Sequence, residues 1–88
     1  MSTDNTLLEF PCEFPIKVMG RSSADLQALV REVIQRHMGP TEEARYATRR
    51  SRQSTYLAVT VTVTARSQVQ LDGIYNELSS HEDVIMVL

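Results

Sequence analysis

From Phe14 the side chains alternate, with Phe14, Ile16 and Val18 on one side of an extended chain and Pro15, Lys17 and Met19 on the other. That period of two predicts a half-buried strand, which Gly20 ends. Pro11 and Pro15 lack N–H donors, which suits the beginning of a strand better than the centre of a ladder. Leu26, Leu29, Val30, Val33 and Ile34 then recur at i, i+3, i+4, i+7 and i+8, so an amphipathic helix with one apolar stripe is predicted. Ser22 or Ser23 is placed to cap its start, Asp25 lies in its first turn, and Arg36 and His37 lie in its last. Gly39-Pro40 stops it, because glycine admits a positive φ and proline cannot continue the helix.

The stretch from Thr41 to Ser54 has no clean period: Glu42 and Glu43 precede Arg45, Tyr46, Arg49, Arg50 and Arg52. A polar second strand over Arg45 to Ser51 is the reading adopted. Tyr56 to Ala65 is the clearest strand, with Leu57, Val59, Val61 and Val63 on one face and Thr60, Thr62 and Thr64 on the other. Ser67 with Gln70 makes a capping box for a second helix whose stripe is Leu71, Ile74, Tyr75 and Leu78. Gly73 costs that helix ~1 kcal/mol relative to alanine, so it is expected where the backbone approaches the sheet. Ser79 to Asp83 reads as a turn and Val84 to Leu88 as a final strand, apolar on both faces. Such an edge must be shielded, here by Leu7 to Phe10, or pair with a second copy in a homodimer.

The order βαββαβ defines an α+β, ferredoxin-like sandwich: a four-stranded antiparallel sheet with two helices on one face, since right-handed crossovers put both helices together. Residues 1–6 are polar and aperiodic and are expected to form a disordered tail, leaving residues 7–88 as a single domain. At 88 residues, 42% hydrophobic and 23% charged with net charge −2, the composition is that of an ordinary globular domain with one modest core. Cys12 is the single cysteine, the first residues lack the features of a signal peptide, and no apolar run approaches membrane-spanning length, so a cytoplasmic protein is expected.

Catalytic chemistry finds little to work with. Cys12 has only Pro11 and Glu13 beside it, neither of which lowers a thiol pKa, and His37 and His81 have no ligands at metal spacing. No phosphate loop, dinucleotide fingerprint or nucleophile elbow occurs, and the carboxylates are scattered. Acylphosphatases share the strand order, but the only asparagines are Asn5 and Asn76, neither on the central hairpin where those enzymes need one. A non-enzyme without cofactor or metal is expected.

Two segments invite a binding role. Backbone N–H groups of Gly20, Arg21, Ser22 and Ser23 at a helix start, with the Arg21 guanidinium, suit a small carboxylate or phosphate; the plainer reading is a turn and an N-cap. Arg45, Arg49, Arg50 and Arg52 form a run without acids that suits an acidic partner or RNA phosphates; the plainer reading is a charged edge strand. RNA-recognition domains stack bases on an aromatic sheet face. The threonines here, with a pI near 5.6, argue against that use.

Leu7-Leu8-Glu9-Phe10-Pro11, Phe14-Pro15-Ile16-Lys17-Val18-Met19-Gly20, Ile74-Tyr75-x-Glu77-Leu78 and Met86-Val87-Leu88 together resemble the YbeD family of small bacterial proteins. The resemblance spans nearly the whole chain and weakens between Pro40 and Thr55. It implies a ferredoxin-like fold similar to ACT regulatory domains, which bind amino acids near the loop after the first strand, and a link to lipoate metabolism by association. It carries over no catalytic residue. The expected function is a regulatory or adaptor domain, ACT-like, acting through a protein partner or a small acidic metabolite; the alternative is a weak nucleic-acid-binding module built on the Arg45 to Arg52 cluster.

Overall fold

In the computed structural model, which describes residues 9–22, 25–42, 45–53 and 55–88, six elements follow one another: β1 (Cys12–Arg21), α1 (Leu26–Met38), β2 (Tyr46–Arg50), β3 (Tyr56–Ala65), α2 (Gln68–Ser79) and β4 (Val84–Val87). The strands form one sheet in the order β2-β3-β1-β4, every neighbouring pair antiparallel. This is the ferredoxin-like βαββαβ sandwich. The off-phase halves of β1 and β3 face away from the helices, and the in-phase halves make the core: Ile16 and Val18 meet Leu57, Val59, Val61, Val63 and Ala65. The helical stripes close it with Leu26, Val30, Val33, Ile34, Leu71, Ile74 and Leu78, all buried. At about 1.5–3 kcal/mol for each fully buried large aliphatic side chain, this layer is the main source of stability.

Several local expectations are corrected. β1 begins at Cys12, not Phe14, and runs through Arg21, so Pro15 sits in mid-strand opposite Thr62. Lys17 exchanges backbone bonds with Leu88, N–H to O at 3.0 Å and the reverse at 2.7 Å, so its polar groups face the β4 side. Pro15, two residues earlier, faces the same way, outside the stretch of β1 from Lys17 to Gly20 that pairs on the β4 side.

The α1 cap is Asp25 and not Ser22 or Ser23: its carboxylate accepts from the Ala28 N–H at 3.3 Å. The Ser22 N–H instead donates to the Thr55 carbonyl, and Ser23 lies outside the described residues. At the other end Gly39 has φ 81° and donates its N–H to Gln35 O, the expected stop. Ser67 caps α2 by accepting from the Gln70 N–H at 3.1 Å, while Gln70 Oε1 accepts from the Arg66 N–H at 2.8 Å rather than from Ser67's own.

Gly73 is correctly read as a point of close approach but to the wrong partner. A Cβ there would stand 3.1 Å from His37 Cε1, so glycine lets the helices, not helix and sheet, come together. In β4, Val84 and Val87 pack on the core, whereas Ile85 is an extra residue in the ladder between Met86 and Val84 and is exposed. Phe10 also packs against the core. Residues 1–8, which carry the expected tail and Leu7-Leu8, lie outside the described residues.

Candidate functional site

Register and alternation together map the helix-free face of the sheet. Lys17 lies beside Thr60 and Leu88, and Thr60 beside Ala47; one row on, Met19 lies beside Ala58 and Met86, and Ala58 beside Arg49. Arg21 and Tyr56 pair in the next row. Tyr56, Met86 and Leu88 are 44%, 46% and 57% exposed, large apolar surfaces that no element of the described chain covers. Lys17, Arg21 and Arg49 stand among them. Among the described residues Glu13, at the far end, is the only carboxylate in a strand, although the chain as a whole is net negative.

Small residues on β3 between long ones on β1 and β2 leave shallow depressions. One, of about 410 Å³, is lined by Lys17, Ala47, Thr48, Arg49, Ala58 and Thr60. A second, of about 170 Å³, shares Lys17, Arg49 and Ala58 and extends to Met19 and Tyr56.

Of the Gly20 to Ser23 segment, Gly20 to Ser22 are packed against the rest of the chain, and Ser23 lies outside the described residues. Gly20 is buried, and a Cβ there would lie 2.6 Å from the Asp83 carbonyl oxygen and 2.9 Å from Leu26 Cδ1. Arg21 donates its N–H to Asp83 O at 3.3 Å and Ser22 to Thr55 O at 3.0 Å, so these two of the expected anion donors are already engaged. Gly20 is required because three segments meet at it.

The arginine run is likewise divided, because alternation sends neighbours to opposite faces. Arg49 is on the open face, Arg50 lies beside Ser22, Asp25 and Gln27 on the helix side, and Arg52 is exposed in the hairpin. Arg45, before β2, binds Glu13 at 2.6 Å and the Thr62 carbonyl at 3.0 Å. Bonds from Arg45, and then from the Thr64 hydroxyl at 2.8 Å, hold the Glu13 carboxyl below its ordinary range. The four do not form one acid-free patch.

Between the helices, Glu77 of α2 accepts from the Arg36 guanidinium and pairs with His37 Nε2 at 2.8 Å, and Arg36 also reaches Glu32 at 3.1 Å. Arg36, then His37, hold the Glu77 carboxyl below its usual value. A depressed folded pKa means stability that is present above the unfolded carboxylate range, near 4.3, and lost as pH falls through the folded value. Glu77→Gln is therefore expected to melt earlier than wild type at pH 7, with the gap closing below about pH 4. Melting curves across pH check this; a gap that does not change with pH would assign Glu77 a packing role only.

Cys12 is half-buried against the core. Among the described residues no group of three or more His, Cys, Asp or Glu could hold a metal ion, and no helix is long and apolar enough to cross a membrane.

Sequence reading alone did not single out Met19, Tyr56, Met86 and Leu88 as one surface. The signal was their off-phase position in each strand, but joining them needed the strand order, which sets β1 between β3 and β4.

Fold and surface define a small α+β domain of the ferredoxin-like class. The solution structure of protein HP0495 from H. pylori has this fold: it matches with a TM-score of 0.71 at 14% identity, over 100% of this chain and 94% of that one. The chain belongs to the family of proteins of unknown function DUF493, whose match covers residues 5–88. It is 36% identical to UPF0250 protein NE1487 of Nitrosomonas europaea over 98% of this chain and 99% of that protein. It is 42% identical to a UPF0250 protein of Paraburkholderia phymatum, covering 97% and 96%. A UPF0250 protein of Neisseria gonorrhoeae is also 42% identical, covering 94% and 91%. UPF0250 is the YbeD type, so the resemblance read from the sequence holds over almost the full length.

Proposed function

We propose that this chain is a non-enzymatic cytoplasmic adaptor that docks an acidic protein partner on the open face of its sheet. The observation that carries the reading is the pairing of apolar and cationic side chains there: Met19, Tyr56, Met86 and Leu88 interleave with Lys17, Arg21 and Arg49. Large apolar surface rimmed by one sign of charge is the usual make-up of a protein-recognition patch, in which burial supplies affinity and charge supplies orientation and rate. Methionine adds adaptability, because its unbranched thioether repacks at low cost. Nucleic acid is the less favoured occupant, since a single tyrosine at the rim offers little stacking and the chain is acidic overall. A small acidic metabolite at Gly20 to Ser22 would have to displace backbone bonds already made.

Lys17 is the only lysine, and it lies at the middle of this face. Carbodiimide cross-linking in native extract, which condenses an amine with a carboxylate to an amide with loss of water, followed by mass spectrometry, should join Lys17 to an acidic segment of one partner. With that partner purified, Arg49→Glu combined with Met86→Glu should weaken binding at least about tenfold, roughly 1.4 kcal/mol, without moving the melting midpoint. Full affinity in the double variant, or cross-links that reach only the outer faces of α1 and α2, would remove the face from consideration. Salt-sensitive binding of single-stranded RNA in place of a protein would favour the nucleic-acid reading.

A further inference from the structure

The open face has a direction as well as a charge. β3 carries only small residues outward at its middle, Ala58, Thr60 and Thr62, while β1 raises Lys17 and Met19 on one side and β2 raises Arg49 on the other. With neighbouring strands about 4.8 Å apart, the walls stand about 9.6 Å from each other. The result is a trough along β3, continuous with the depressions that Lys17 and Arg49 both line. The Cα cylinder of an α-helix is about 4.6 Å across, narrower than that spacing, so one helix can lie lengthwise over β3 with its flanking side chains above the walls. An extended segment would instead seek a sheet edge, and the edges here are β2, rich in arginine, and β4, bulged at Ile85.

The two cations are staggered. Lys17 aligns with Thr60 and Arg49 with Ala58, so they lie on opposite flanks of β3, offset by two residues, about 6.8 Å, along it. On a helix, residues five apart are separated by about 7.5 Å of rise and about 140° of turn, which sets them on opposite flanks at nearly that offset. Residues i+1, i+4 and i+8 fall between those flanks and point at the floor.

On the reading that this face docks a partner, we infer that the docking element is an amphipathic helix laid along β3, with carboxylates at i and i+5 meeting Lys17 and Arg49. Apolar residues at i+1, i+4 and i+8, about 1.5, 6 and 12 Å along the axis, then rest near Thr60, Ala58 and Tyr56. The helix forms a third layer opposite α1 and α2.

The test uses three synthetic helix-stapled peptides of equal length, titrated into the full isotope-labelled chain and followed by amide shifts. The first carries glutamates at i and i+5 and leucines at i+1, i+4 and i+8. The second has the same composition, with the leucines kept and its glutamates at i and i+7, on one flank. The third replaces both glutamates with lysine. The first should give saturable shifts at Lys17, Ala58, Thr60 and Arg49. The second should bind at least tenfold more weakly and the third should not bind; Arg49→Glu in the protein should remove the difference between the first two. Equal binding of the first two peptides, shifts centred elsewhere, or no saturable shift at millimolar peptide would overturn the inference. If those results come with a partner cross-linked at Lys17 through a loop or a strand, the docking face stands and only the helix falls. If Lys17 captures no partner either, both fall.

Discussion

Val61→Asp is expected to abolish the cooperative melting transition, while Thr62→Asp, one residue away, should melt within a few degrees of wild type. Val61 is 0% exposed, set between Ile16 and Tyr46 in the ladder and covered by the helices. An ionised carboxylate there has no partner, and burying one exceeds the 4–5 kcal/mol that marks the severe end of single substitutions. A domain of this size has a total stability of about 4–13 kcal/mol, so most or all of it is lost. Thr62 faces away from the core, beside the Arg45 guanidinium that already bonds its carbonyl, so a carboxylate is both solvated and near a cation. Circular dichroism melts of the two variants decide the matter. Equal midpoints would mean that the register of β3 is shifted by one.

Gly20 is the second position where a small change has a large expected effect. Alanine would bring its Cβ to 2.6 Å from a backbone oxygen, Asp83 O, and to 2.9 Å from Leu26, which is fully buried. The backbone oxygen is itself held by the Arg21 N–H, so relief requires β1, the start of α1 and the turn before β4 to move apart together. Overpacking of this kind costs about 1–3 kcal/mol for one methyl, and Gly20→Val should cost more. Each kcal/mol lowers the midpoint of such a domain by roughly 4–8 °C. Gly39→Ala is the matched control, since nothing lies within 4 Å of its Cβ position and only its backbone, at φ 81° and ψ −172° in a region essentially confined to glycine, resists substitution, for roughly 1–3 kcal/mol. A Gly20→Ala midpoint equal to wild type would show that the three segments are not locked there.

The elements were legible because two periods run cleanly through the chain. Alternation in β1 and β3 and the 3.6-residue stripes of α1 and α2 each determine one buried face, and one face per element is enough to assemble the sandwich. What failed was what depends on neighbours in space. Pro15 argued for a later strand start, but it lies outside the stretch of β1 that pairs on the β4 side. Ser22 or Ser23 looked like the cap, yet the Asp25 carboxylate accepts from Ala28 N–H and takes the role. Gly73 was rightly suspected of a close contact, but nothing local could say that His37, on the other helix, makes it. The arginines adjacent in sequence separate in the fold, and Lys17 and Arg49, far apart in sequence, come to flank the same trough. Glu77, Arg36 and His37 carry no local signature at all, because their link exists only once the helices are side by side.

The sheet order has a consequence for how the protein is made. β1 ends up in the middle of the sheet, and both of its neighbours are synthesised after it: β3 after the whole of α1 and β2, and β4 later still. At 5–20 residues per second the nascent strand waits on the order of seconds for either. During that interval its apolar side chains, Phe14, Ile16 and Val18, have only α1 to lean on. Pro15 lies in the midst of them and denies any foreign strand a full set of donors until the chain's own arrive.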